Sequence, residues 1–202
     1  MTLYVNGEAA HTFTCSPAQL TELCLGWLLS EGYLAAPLHR LVISEDGHRA
    51  DAELDAAQRL APAPFPAFTP VDEARLTAAL ALLHGDGTVH AKTRGAHACI
   101  LSAPDGTTLM AEDIGRYNAA DKAFGAALLR GIDLGSCQLL SSGRIPLGMV
   151  HKCVRAGIGV VTTKAATTAQ SSAEARRLHL TLRFFTAADG SGITIDREEG
   201  FA

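Results

Sequence analysis

"CQLLSSGRIPLGMVHKCVRAGIGVVTT", residues 137–163, decides the fold class. "CQLLSS" is a short apolar run, and Met149, Val150, Cys153 and Val154 recur with the helical period from about residue 147. "GVVTT" is rich in β-branched residues. A strand that returns to another strand through a helix is the building unit of a parallel sheet. The alternation continues in both directions. Upstream lie "HACIL", the turn "PDG", "TLMAE" and a helix over about 115–130; downstream lie a helix from about 168 and the strand "LTLRFF". The sequence therefore predicts an α/β domain with a mainly parallel sheet and a leading antiparallel hairpin.

The N-terminal third reads differently. In "LYVNGEAAHTFTC", Asn6-Gly7 separates two strand-like runs, the signal of a type I′ hairpin. Ser16 as cap, Pro17 at the first position and Gln19 completing a capping box predict a helix that buries Leu20, Leu23, Cys24, Trp27 and Leu28 and stops at Gly32. "RLVIS" and "ADAEL" read as strands. The proline-dense "APAPFPAFTP", residues 61–70, supports neither ladder nor helix and reads as a linker or flap, with Thr69 and Pro70 opening a further helix to about Leu83. This gives a smaller N-terminal α+β portion over 1–65, a connecting helix and loop over 66–92, and the α/β domain over 93–202.

Composition narrows the function classes. With 202 residues and 48% hydrophobic content the chain can build a sizeable core. A net charge of −4 supplies no general basic field, so nucleic acid is not an expected partner and any phosphate ligand needs a local grip. No basic stretch leads into an apolar one near the start, and no run of about 18 uncharged apolar residues follows. No membrane association is expected, and the cytoplasm is the expected location. There the five cysteines (Cys15, Cys24, Cys99, Cys137, Cys153) are expected as reduced thiols, and none has CxxC spacing. No GxxxxGK[ST] occurs, "GIGVV" lacks the context of a dinucleotide fingerprint, and "HAC" without PCxxC is not a zinc deaminase signature, so no metal site is expected.

Ligands of open α/β sheets gather where strands end and helices begin, because the first helical N–H groups are unpaired. Two such seams carry a Gly-Arg pair: "EDIGRYN", residues 112–118, and "SSGRIP", residues 141–146. Glycine lets the backbone approach a ligand, and arginine offers a forked donor for phosphate oxygens. Gly115, Arg116, Gly143 and Arg144, with the hydroxyls of Ser141 and Ser142, form a candidate anion cradle. On the first helix Tyr117, Ala120, Phe124, Ala127 and Leu128 share one face, leaving Asn118, Asp121 and Lys122 clustered beside the seam with Asp113. The alternative is that Asp113 caps, Arg116 pairs with a carboxylate and Lys122 is solvated; Lys152 reads as a solvated side chain. His97 and Cys99 fall on one side of a strand, where an imidazole could lower a thiol pKa; the competing reading makes Cys99 a small core residue.

Taken in order, "VNGE", "SPAQLTELCLGWLLSEGYL", "TRGAHA", "EDIGRYNAADKAFG", "LLSSGRIPLGMVHKCVRAGI" and "KAATTAQSSAEARRLHLTL" resemble the FdhD family of formate dehydrogenase accessory sulfurtransferases over nearly the whole chain. The resemblance implies a cytidine-deaminase-like αβα sandwich with a mixed sheet. It also implies a factor that takes sulfur from a cysteine desulfurase and passes it to the molybdenum or tungsten bis-pterin guanine dinucleotide cofactor destined for formate dehydrogenase. The guanine nucleotide or pterin cofactor would be held by Thr93, Gly95, Asp113, Gly115, Arg116, Asn118, Asp121, Lys122, Ser141, Ser142, Gly143 and Arg144, with Cys99 and His97 as the catalytic pair and a homodimer as an open option. The family's usual CGxCG-like loop is replaced here by the cysteine-free residues 61–70. Tyr117, Gly148 and Lys164 stand where the family often has His, an acidic residue and Ser. Sulfur relay through another thiol such as Cys99 or Cys15, and a non-catalytic cofactor-binding chaperone, are the two functional expectations.

Overall fold

In the computed structural model, which describes residues 1–55, 59–85, 87–93 and 95–197, Asn6 and Gly7 both take left-handed backbone, φ 50° and 86°. That is the requirement of a type I′ turn, and it folds β1 (Thr2–Val5) onto β2 (Glu8–Thr12). β3 (Leu38–Ile43) and β4 (Arg49–Leu54) complete a four-stranded sheet in the order β2-β1-β4-β3. Its inner face, carrying Leu3, Val5, Ala50, Ala52 and Leu54, packs against Leu23, Cys24, Trp27 and Leu28 of α1 (Leu20–Ser30).

The start of α1 departs from the expected capping box. The helix begins at Leu20 with Gln19 in left-handed backbone, φ 57°, and no side-chain cap. Ser16 does not cap because its amide and hydroxyl both donate to Asp113, at 3.0 and 3.1 Å. A long-range carboxylate outcompetes the local turn.

The second sheet holds β5 (His97–Ser102), β6 (Thr108–Asp113), β7 (Gln138–Ser141), β8 (Val160–Thr163), β9 (Thr181–Phe184) and β10 (Ile193–Ile195), in the order β10-β9-β8-β7-β5-β6. The sheet is mixed rather than mainly parallel. Only β7, β8 and β9 pair parallel, while β5 runs antiparallel to both β6 and β7, and β10 antiparallel to β9. The crossover from β6 through α4 (Arg116–Leu129) reaches over the hairpin partner β5, so the two strands that it joins are not neighbours. α4, α5 (Leu147–Arg155) and α6 (Ala169–Arg177) cover one face, burying Cys99, Leu101, Leu139, Val161 and Leu182. α2 (Glu73–His84) covers part of the other, with Leu76, Ala79, Leu80 and Leu83 against Ala98, Ile100 and Leu140. The expected α/β class, with a smaller α+β portion ahead of a mixed-sheet sandwich, is the observed architecture.

α2 starts later than Thr69 and Pro70 suggested. Asp72 is its cap, accepting from the amides of Ala74 and Arg75 at 3.1 Å, and Gln138 holds the Asp72 backbone from the sheet. Residues 61–70 form no helix or strand. No helix among the described residues is long and apolar enough to cross a membrane.

The two sheets are joined through the crossing of α1 and α4. A Cβ added to Gly26 would stand 1.7 Å from the Asp121 carbonyl oxygen, and one added to Gly125 would stand 1.9 Å from that of Glu22. The helices touch backbone to backbone, which only glycine permits. This contact fixes the first turns of α4, where the candidate site lies.

Candidate functional site

The two Gly-Arg turns converge. A Cβ on Gly143, in the β7–α5 turn, would meet both Arg116 Cβ and His97 Nδ1 at 3.0 Å. Glycine is what lets this turn rest against the start of α4 and the start of β5. Arg116 opens α4 with its Nε buried and without a hydrogen-bond partner, and its guanidinium carbon lies 5.1 Å from the Tyr117 ring centroid. Arg144 is exposed. Among the described residues neither arginine pairs with a carboxylate, so the alternative that placed Arg116 in an ion pair does not hold. His97 Nδ1 is likewise buried without a partner. Burial, then the nearby Arg116, His90 and Arg144, hold the His97 pKa below its ordinary value.

Several predicted ligands instead shape this cradle. The Ser141 hydroxyl accepts from the Gly143 amide at 3.1 Å, and Ser142 Oγ accepts from the Ala98 amide at 2.9 Å. Thr93 Oγ1 donates to the Val89 carbonyl and accepts from the Gly95 amide, closing the end of the short α3 (Val89–Thr93). Glu112 accepts the amides of Val89 and His90 at 3.0 and 2.7 Å, pinning the start of that helix. Each of these hydroxyls has a backbone partner, whereas Arg116 Nε and His97 Nδ1 have none.

A third seam escaped the sequence reading. β8 ends beside β7, Ser141 opposite Thr163, and Thr163 Oγ1 donates to the Gly143 carbonyl at 2.7 Å. The next residue, Lys164, places its Nζ 3.2 Å from His90 Nε2. The available signal was "TTKAATT", another strand exit ahead of a helix, with Thr168 as its cap.

The polar cluster on α4 has a different role from the one its spacing suggested. Asp113 is 1% exposed, and its carboxylate takes Ser16, the Gly115 amide, Asn118 Nδ2 and Lys122 Nζ, the last at 2.6 Å. Lys122 is fully buried rather than solvated and also donates to Ser16 Oγ at 2.7 Å. Asn118 spends its amide on Asp113 and on the Thr14 carbonyl. Asp121 accepts from Ser30 Oγ at 2.7 Å and Lys152 Nζ at 2.9 Å, and Lys152 also reaches Glu31 at 3.1 Å. As ligands, Asp113, Asp121 and Lys122 are displaced by these buried partners; they tie α4 to the N-terminal portion. Lys152 is buried too, contrary to its solvated reading. Burial raises the Asp121 pKa against the pull of Lys152, whereas the bonds to Asp113 overcome burial and lower its pKa.

The thiols also differ from expectation. Cys99 does share the side of β5 that His97 occupies, but it is fully buried, and desolvation pushes its pKa up to about 12. The anticipated imidazole-activated thiolate is therefore not formed; its core alternative holds. Cys24, Cys137 and Cys153 are buried with raised pKa values as well. Cys15 alone is part-exposed, and burial and then Asp113 raise its pKa too.

Beside the cradle, a groove of about 320 Å³ opens between α1, α4 and α5, lined by Trp27, Tyr117, Asn118 and Gly148 together with His11 and the ionic groups Glu31, Asp121 and Lys152. Gly148 keeps its mouth clear, since a Cβ there would stand 3.1 Å from the Tyr117 hydroxyl. Tyr117 is thus shared between groove and cradle. The arrangement could take a phosphate-bearing molecule with a flat ring: the buried, unpaired Arg116 Nε and His97 Nδ1 lie beside a slot that has aromatic walls and an ionic floor.

Comparison with known proteins bears on the family and the fold. A model of the FdhD/NarQ family matches residues 38–193. A protein of Geobacillus kaustophilus called sulfur carrier protein FdhD is 28% identical, over 83% of this chain and 75% of its own length. The Staphylococcus aureus protein of the same name is also 28% identical, over 96% and 84%. The crystal structure of a proposed formate dehydrogenase accessory protein from Desulfotalea psychrophila superposes with a TM-score of 0.78 at 22% identity, covering 96% of this chain and 84% of that one, a likeness of fold.

Proposed function

The chain belongs to the FdhD/NarQ family, and on that premise we propose that it is an accessory protein of formate dehydrogenase maturation that holds the molybdenum or tungsten bis-pterin guanine dinucleotide as its cargo. The observation that carries this reading is the convergence of Arg116, Arg144 and the buried, unpaired His97 Nδ1 around Gly143. Two arginine forks take oxygens of one diphosphate, and His97 donates or accepts one further bond. The groove at Tyr117 receives a ring of the cargo. Asp113 and Lys122 hold α4 in place, while Asp121 and Lys152, paired with each other, lie in the lining of that groove. A cysteine desulfurase and formate dehydrogenase are the protein partners, in the cytoplasm.

Binding of guanosine diphosphate, measured by calorimetry, tests the reading. Arg116→Ala and Arg144→Ala are each expected to cost about 1.5–3 kcal/mol of affinity, the value of a hydrogen bond to a charged group. Wild-type affinity in both variants would refute it.

The position of Cys15 favours a second function for the same protein. It adjoins Ser16, which is bonded to Asp113 at the first seam, and it is the one part-exposed thiol. As a relay, Cys15 thiolate attacks the outer sulfur of a desulfurase persulfide, releasing the desulfurase thiolate and leaving a Cys15 persulfide. Incubation with a desulfurase and cysteine then adds about 32 Da, one sulfur atom, to the wild type and nothing to Cys15→Ser. No added mass on either leaves the holding function alone.

A further inference from the structure

The floor of the groove beside the cradle accepts hydrogen bonds. Lys152 Nζ lies 2.8 Å from Ser30 Oγ, 2.9 Å from Asp121 and 3.1 Å from Glu31, a partner for each of its three protons. Asn118 likewise gives its two amide protons to the Thr14 carbonyl and to Asp113, which leaves only its carbonyl oxygen to offer. The donors of this floor are therefore committed, and acceptors remain. Of the two carboxylates, Asp121 is 1% exposed and Glu31 is 21% exposed. Glu31 takes Arg59 on Oε2 and faces Lys152 with Oε1; a carboxylate oxygen accepts two bonds, so each keeps one acceptor site. Burial and then Lys152 hold the His11 pKa below its ordinary value against the pull of Glu31, so the imidazole adds no cation to the lining. The walls are aromatic and fixed. Trp27 stacks with His11, ring centroids 5.2 Å apart at 22°, and with Tyr33, 5.4 Å apart at 26°. Tyr117, beside the Arg116 guanidinium, borders the groove and the cradle alike.

We propose that the groove selects a ring with adjacent N–H donors along one edge, the ring N–H and exocyclic amine of a 2-amino-4-oxopyrimidine, and that Glu31 is the acceptor that reads this edge. The proposal rests on the cargo-holding reading and adds to it the chemistry of the ring and the residue that discriminates. A carboxylate accepts two parallel N–H bonds from such an edge, and bonds to a charged acceptor are about twice as strong as neutral ones. A ring that presents a lone pair there, as adenine does, sets acceptor against acceptor and leaves Glu31 desolvated without repayment. Guanine and pterin share the donor edge, so either ring of the cargo satisfies the chemistry. Hypoxanthine keeps the ring N–H and lacks the amine, which makes it the discriminating probe.

Trp27 is the single tryptophan of the chain, so its fluorescence reports a ring entering the groove. The test titrates the full chain with guanosine, inosine and adenosine diphosphate and with inorganic pyrophosphate, followed by that fluorescence and by calorimetry. Guanosine diphosphate should bind about 10- to 100-fold more tightly than inosine diphosphate, the range for one hydrogen bond to a charged group. Adenosine diphosphate should bind no better than inosine diphosphate. Pyrophosphate should bind the cradle and leave the fluorescence unchanged. In Glu31→Gln, guanosine diphosphate affinity should fall to within about threefold of that for inosine diphosphate while pyrophosphate affinity is kept; a merely structural role would weaken all the probes together. Should the variant fail to fold, the wild-type preference among the nucleotides decides. Equal affinity for guanosine and inosine diphosphate in the wild type, unchanged fluorescence with guanosine diphosphate bound, or a preference that survives in Glu31→Gln overturns the proposal. If pyrophosphate still binds and Arg116→Ala weakens it, the cargo reading stands in each of these cases. Free pterin separates the two sources: displacement of guanosine diphosphate makes both rings occupants, and no displacement leaves guanine alone. A wild-type chain that binds none of the probes defeats both proposal and reading.

Discussion

Replacing Gly26 by alanine tests the contact on which the site's rigidity depends. In an isolated helix the change would stabilise by about 1 kcal/mol, because alanine has the higher helix propensity. Here the new methyl would stand 1.7 Å from the Asp121 carbonyl oxygen, where about 3.0 Å is the closest tolerable approach. The obstacle is backbone and cannot rotate away, so α1 and α4 must part by roughly 1.3 Å. Ser30 sits on α1 and Asp121 on α4, bonded at 2.7 Å; that separation stretches the bond to about 4 Å, beyond hydrogen-bond range. Overpacking at its upper end, about 3 kcal/mol, plus about 1.5 kcal/mol for the broken bond to a charged group, exceeds the propensity gain. The net expectation is a loss of about 3.5 kcal/mol. In a chain of this size it appears as a melting temperature lower by about 7–14 °C in calorimetry, confirmed by urea titration. Gly87→Ala, where a Cβ meets nothing within 4 Å, serves as control and should stay within about 0.5 kcal/mol. A Gly26→Ala protein as stable as wild type would mean that the helices do not pack as closely as the backbone places them.

Lys152→Met strands the Asp121 and Glu31 carboxylates that it bridges and should cost about 3–5 kcal/mol in urea unfolding. Lys152→Met combined with Asp121→Leu should recover part of that loss; an additive double variant would argue against a coupled pair. On α6, the bond from Arg177 and, against the effect of burial, that from His151 of α5 leave the Glu174 pKa at about 2. A folded pKa below the unfolded one stabilises above the unfolded value, and the contribution is lost as pH falls from about 4.5 through about 2. Glu174→Gln should therefore flatten the acid limb of the stability curve in that window; an unchanged limb would show that the pair contributes nothing there.

Period and turn chemistry made the fold legible wherever they acted locally. Asn6-Gly7 produced its hairpin, the prolines of 61–70 excluded regular structure, and the apolar spacing of α4 and α5 located both helices within a residue or two. What stayed hidden depended on partners far along the chain. Ser16 has a capping signature but binds Asp113, 97 residues away. Lys122 and Lys152 sit at positions that look solvated on their own helices, and they are buried because α1 and the residues that flank it arrive with Ser16, Ser30 and Glu31. Sheet order was equally out of reach, since nothing local tells a crossover to reach past β5. Of the site, the two Gly-Arg turns were legible from composition and position. Lys164 and His90 were not, because they meet through a tertiary contact between segments with no shared pattern.

The misplaced ligands explain why the cradle can hold its shape. The family resemblance implies that Asp113, three residues before Arg116 at a strand exit, is a cargo contact. Its carboxylate instead grips the Gly115 amide, Asn118 and Lys122, so the turn that aims Arg116 is bonded on both sides before any ligand arrives. An unpaired, partly buried guanidinium is costly in the absence of an anion, and it stays oriented only if the backbone beneath it cannot relax. A buried ionic support under an unpaired cation is the arrangement that preorganisation requires: the support carries no affinity of its own, and its loss would let Arg116 find a carboxylate and close the site. Dense charge at the start of α4 is therefore one structural device in two layers, an inner layer of paired groups and an outer layer that the proposed function assigns to phosphate.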